Sequence, residues 1–140
     1  LPLVIVGNWN NSKYGIELKR EYFNKSNLIL LDAIYDQRDL NLLRSNCYVY
    51  LHGHSAGGTN PALVEAMNLS LPIIAFDNVF NRNTTHNDAL YFIDSINLRE
   101  VLSNISNEEL IKNANIMGSL AEEKYTWNTI CFNYAKIFNS

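Results

Sequence analysis

The chain has 140 residues, 47% of them hydrophobic, and a formal net charge of −3, which is enough apolar material for one core, so we read residues 1–140 as a single domain. The acidic balance and the lack of any Lys/Arg run argue against a nucleic-acid-binding surface. No apolar stretch reaches the roughly 20 residues that a membrane-spanning helix needs, and no leader with a charged start opens the chain.

The chain begins without a methionine and directly on a strand over residues 1–7 (LPLVIVG), as if cut from a longer protein. After a loop at 8–14, apolar residues at Ile16, Leu18, Tyr22 and Phe23 predict a short helix over 15–24. Residues 27–31 (NLILL) predict a buried strand. A turn at 32–36 leads to a helix over 37–45, with Leu40, Leu42 and Leu43 as its inner face. A third strand spans 47–52 (CYVYLH). Cys47 in that strand and Cys131 far downstream read as two buried thiols in a reducing cytoplasm, not as a disulfide or a metal pair.

The next stretch, GHSAGGTNPALVEAM over 53–67, carries the chemistry and allows two readings. Gly53-His54-Ser55-Ala56-Gly57 fits the G-x-S-x-G nucleophile elbow of a serine esterase. The alternative is a phosphate cradle, a Gly-rich turn running into a helix N-terminus. Pro61 separates them. An elbow starts its helix beside the serine and would place Pro61 inside it, at a cost of about 3 kcal/mol. Asn60 as N-cap with Pro61 at the first helical position is instead a favoured start. Residues 55–59 are then a loop whose N–H groups, freed by Gly57 and Gly58, can face an anion at the positive end of the helix dipole. The elbow would also have to draw Asp77 and His86 into a triad from nearby positions, with no oxyanion loop upstream, so the esterase is the runner-up.

Leu71-Pro72 ends the helix over 61–69, and residues 73–76 (IIAF) predict a fourth strand. The segment NVFNRNTTHND after Asp77 reads as polar and irregular, followed by a short strand at 90–92 (LYF). Helices are expected over 97–105, over 106–124 with Ser106, Glu108 and Glu109 at its start, and over 127–138, an aromatic-rich packing helix. The alternation of strand and helix predicts an α/β fold with a Rossmann-like parallel sheet flanked by helices, in which ligands bind at the C-terminal strand ends.

In their order and spacing, VIVGNW, LLDAIYD, HGHSAGGTNPALVEAM, LPIIAFD and NRNTTHNDALYF resemble the C-terminal, nucleotide-sugar-binding half of GT-B retaining glycosyltransferases. The group is family 4-like and includes bacterial rhamnosyltransferases with the HGHSAGGTNP block. The resemblance covers most of the chain, and its central block is the specific part. It implies one half of a GT-B fold, truncated on its N-terminal side, from an enzyme that passes a sugar, rhamnose or another hexose, from a nucleoside diphosphate to an acceptor hydroxyl in bacterial surface polysaccharide synthesis. His54, Ser55, Gly57, Gly58, Thr59, Asn60 and Glu65 are the donor-binding candidates, and no catalytic residue is assigned.

The wider superfamily carries two glutamates separated by seven residues. Glu65 matches the second, the ribose ligand, whereas Gly57 stands where the first would be, so sugar recognition falls to the Gly57-Gly58 turn or to His54 and Ser55. His54 has either that role or a structural one in the loop. Ala33 and Ile34 are a weaker carry-over for the nucleotide base.

The donor is a substrate, and no cofactor or metal is required on this reading. The implied partners are the nucleotide-sugar and a glycan or lipid-linked acceptor held by an N-terminal domain outside this chain; the Arg and Lys that the family uses on the diphosphate lie upstream of the first strand and are outside this chain as well. The fragment alone is then inactive, and the full-length protein works in the cytoplasm with peripheral association at the inner face of the membrane. A non-catalytic sugar-nucleotide-binding module would use the same pocket.

Overall fold

The structure is a computed structural model that describes residues 1–138, and it divides into two compact units, Leu1–Leu43 and a second from Arg44 onward.

In the first unit, β1 (Leu3–Gly7) pairs in parallel with β2 (Leu28–Asp32), Leu3 opposite Leu28 and Gly7 opposite Asp32. Between them lie a 3-10 turn at Trp9–Asn11 and α1 (Lys13–Tyr22). The Trp9 ring is buried, and its Nε1–H donates to the Leu31 carbonyl at 2.7 Å, so the turn is pinned to β2. Helix α1 starts two residues earlier than the apolar spacing predicts because Ser12 caps it, its Oγ accepting from the Gly15 N–H at 3.0 Å. Gly15 is required there, since a Cβ would run into the Trp9 carbonyl. Helix α2 (Gln37–Ser45) has the predicted bounds. Leu42 is solvent-exposed, so the inner face of α2 is narrower than expected.

The second unit holds a parallel sheet of order β3 (Tyr50–His52), β4 (Ile73–Phe76), β5 (Leu90–Phe92). The central strand is sealed on both faces, as a parallel strand between helix layers must be, with Ile73, Ile74 and Ala75 fully buried. Helices α3 (Pro61–Asn68) and α6 (Asn107–Lys124) build its core. Leu63, Ala66 and Met67 of α3 join Met117, Leu120 and Ala121 of α6 and Leu71, Ile73 and Ala75 in one cluster. Two polar devices lock α6. Asn113, buried, accepts from the Ile73 N–H at 2.7 Å and donates to the Asp88 carbonyl at 2.9 Å. The Ser106–Glu109 capping box closes its start as its sequence predicts.

The polar segment after Asp77 is not irregular. It forms α4 (Val79–Thr84), capped by Asn78. Its inward side is polar, with Asn81, Thr84 and Thr85 buried, so the helix has no apolar stripe to betray it. Helices α5 (Ser95–Asn104) and α7 (Trp127–Phe138) complete the unit. Helix α7 forms where expected but buries none of its residues: Trp127, Phe132, Tyr134 and Phe138 are all exposed. Cys131 on it is exposed and Cys47 only half-buried, which corrects the reading of two buried thiols.

Candidate functional site

The site begins where β3 ends. Residues 53–59 form an irregular loop that is exposed throughout, and α3 starts at Pro61, as the proline argument requires. Asn60 is the N-cap, its Oδ1 accepting from the Ala62 N–H at 2.9 Å, with extended φ and ψ of −88° and 122°. Its side-chain oxygen is therefore used by the helix. Gly57 has φ +106°, a conformation that a side chain would strain, and Gly53, Gly57 and Gly58 have open space where a Cβ would sit. Backbone can approach a ligand closely there. The loop lies at the C-terminal end of a parallel strand and beside a helix N-terminus, both favourable to an anion.

Ser55 is exposed in this loop, six residues before α3 begins, so the chain does not enter a helix at the serine as a nucleophile elbow does. Both Asp77 carboxylate oxygens accept from Arg82, from Nε at 2.5 Å and Nη2 at 2.7 Å, and His86 is exposed with φ +50°. Arg82 holds the Asp77 carboxyl below its ordinary range through those hydrogen bonds, and its guanidinium also lies 4.2 Å from the Tyr91 ring centre.

His54 is tied to its surroundings in two ways. Its ring stacks on that of His52 with centroids 4.8 Å apart, and its carbonyl accepts from Asn78 Nδ2 at 2.9 Å and Asn81 Nδ2 at 3.0 Å. His52 is 1% exposed, and neither ring nitrogen has a hydrogen-bond partner. Burial first, and then the charge of His54, push its pKa down to about 4, so it is neutral at ordinary pH.

Glu65 is half-buried on α3, where Arg44 Nη1 donates to its Oε2 at 2.6 Å. The Arg44 side chain is 12% exposed against 43% for Glu65, so a largely covered guanidinium presents the carboxylate. Burial raises the Tyr50 hydroxyl pKa beside this pair, with Arg44 opposing. Next to the loop, Gly58, Thr59, Phe80, Asn83, Thr84 and Tyr125 line a cleft of about 230 Å³, one side of which is fastened by the Tyr125 hydroxyl donating to the Thr84 carbonyl at 2.8 Å.

Thus His54, Ser55, Gly57, Gly58, Thr59 and Asn60 form one loop, and Glu65 follows on the helix that it enters. Ala33 and Ile34 belong to the first unit, half-buried in the turn after β2. Sequence reasoning missed Arg44, Asn78, Asn81 and the aromatic lining of the cleft. Only Asn78, as a helix cap, left a local signal. Among the described residues no group of three or more His, Cys, Asp or Glu could hold a metal ion, and no helix is long and apolar enough to cross a membrane.

Fold and site together define a Rossmann-like α/β chain with an exposed Gly-rich loop at a strand end. Residues 1–95 match the family described as Glycosyl transferases group 1, and the chain belongs to that family. Its fold is similar to that of WaaG, a glycosyltransferase involved in lipopolysaccharide biosynthesis, with a TM-score of 0.62 and 17% identity over 86% of this chain and 34% of that one. It is the fold of one Rossmann-like half of a GT-B enzyme, and the chain spans about a third of that relative's length. No curated protein matches the chain.

Proposed function

We propose that this chain is the donor-binding half of a retaining glycosyltransferase, one that moves a hexose such as rhamnose from a nucleoside diphosphate to an acceptor hydroxyl in bacterial surface polysaccharide synthesis. The observation that carries the reading is the exposed Gly57-Gly58 loop entering the Asn60-capped helix, with Glu65 on that same helix, in a member of this family. When the sugar leaves, negative charge grows on the diphosphate. The amides of Gly57, Gly58 and Thr59, the Thr59 hydroxyl and the α3 dipole are donors aimed where that charge develops.

Glu65 accepts the ribose hydroxyls. Arg44 occupies its Oε2 and holds the carboxylate in one orientation, leaving Oε1 for the ligand. The cleft beside Gly58 and Thr59 takes the sugar, Phe80 and Tyr125 offering ring faces and Asn83 an amide. The acceptor, a glycan or lipid-linked sugar, is held by another domain, and the whole enzyme works at the inner face of the membrane. No metal takes part in this scheme.

Calorimetric titration with UDP, dTDP, GDP and ADP tests the donor site. One diphosphate should bind, and Glu65→Ala should weaken it. Failure of all four at millimolar concentration, in the chain and in the full-length protein, refutes the reading. Assay of the full-length enzyme by NMR of the anomeric centre tests retention.

A further inference from the structure

The Gly-rich loop is open to solvent. Residues 53–59 are exposed, and a Cβ at Gly53, Gly57 or Gly58 would meet nothing within 4 Å. A loop so bare would have to be ordered by its ligand, at an entropic cost that weakens binding. Both of its ends, however, are held by asparagines. At the far end Asn60 caps α3. At the near end the His54 carbonyl accepts from the side-chain amides of Asn78 and Asn81, which fills both of its lone pairs.

These two amides connect more than the loop. The same Asn81 amide donates to the carbonyl of Phe76, the last residue of β4, at 2.9 Å, while Asn78 Oδ1 accepts from the Asn81 N–H at 2.8 Å as the cap of α4. Asn81 is 3% exposed, so its amide is shielded from competing water. The end of β4, the start of α4 and the entry to the loop are therefore one hydrogen-bonded body. With the His54 carbonyl fixed, the plane of the following peptide is fixed as well. Only Ser55 to Thr59 hang between the anchors.

We propose that Asn78 and Asn81 are positioning residues for the donor: they pre-set the loop so that the Gly57, Gly58 and Thr59 amides meet a nucleoside diphosphate without first being ordered. The proposal rests on the donor-site reading and deepens it.

Asn78→Ser is the discriminating variant. Serine caps a helix about as well as asparagine, so α4 keeps its start, but one of the two donors to His54 is lost and no charge is brought near the anion. In the chain, titrated with the diphosphate that binds best, the variant should show about fivefold weaker affinity, the scale of one hydrogen bond. Its Tm should stay unchanged, and ¹⁵N relaxation should show the Gly57 and Gly58 amides more mobile on the ps–ns scale. Asn78→Ala, which loses cap and donor together, should show the same loosening with a lowered Tm. A wild type that binds, with Asn78→Ser binding equally well or its loop amides unmoved, overturns the proposal alone. A wild type that binds none of the four diphosphates overturns the donor reading, and the proposal with it.

Discussion

The floor of the second unit and the loop above it are built on opposite terms. The floor, β4 with α3 and α6, is sealed, with Ile73, Ile74, Ala75, Leu63, Met67 and Met117 at 0% exposure. The loop over 53–59 is open at every residue and owes its shape to anchors at its two ends. Stability and recognition are therefore carried by different residues a few positions apart. A substitution in the floor should move Tm and one in the loop should move affinity, with His52, at the seam, belonging to the floor.

The largest effect expected is the pH response of that seam. His52 in the folded chain protonates only near pH 4, against about 6.5 when unfolded. Between these values the unfolded state binds more protons, so stability is fully present above 6.5 and falls as pH drops towards 4, by up to about 3 kcal/mol. Urea unfolding across this range should show the decline, and His52→Phe should flatten it. An unaltered pH slope in the variant would mean that His52 is not the group responsible.

Next comes Asn113→Ala, which leaves the buried Ile73 N–H and Asp88 carbonyl without partners and should destabilise by about 2 kcal/mol. A change below the error of the denaturation curve would show that water replaces the amide. On the loop side, Glu65→Ala should weaken the preferred nucleoside diphosphate by about tenfold. Ser55→Ala should be the mildest, changing nucleotide affinity by less than about threefold and leaving Tm alone. An esterase activity lost in Ser55→Ala would instead revive the nucleophile reading and collapse the contrast.

The floor was the more legible of the two regions in the sequence. Continuous apolar residues located β4 to the residue, Pro61 after Asn60 located the start of α3, and Ser106 with Glu109 located the start of α6. In each case a local cause produces a local structure. Helix α4 escaped because tertiary hydrogen bonds, not an apolar stripe, hold it: Asn81 reaches two carbonyls, and the Thr85 hydroxyl lies 2.6 Å from that of Tyr91. Arg44 escaped because its partner Glu65 lies on a different helix, and side-chain pairing at that distance has no period to read. The apolar residues of α7 were legible as a helix, but periodicity cannot say whether anything covers them.

The bond from the Tyr125 hydroxyl to the Thr84 carbonyl bears on how far the chain can be shortened. Tyr125 follows α6, after the last buried residue of the main core cluster, and both packs against that cluster and lines the cleft. A piece ending at Lys124 should keep every buried residue of that cluster and still lack one side of the space next to the loop. Screens for small molecules that bind here should therefore keep the residues past Lys124, however dispensable they look by thermal stability.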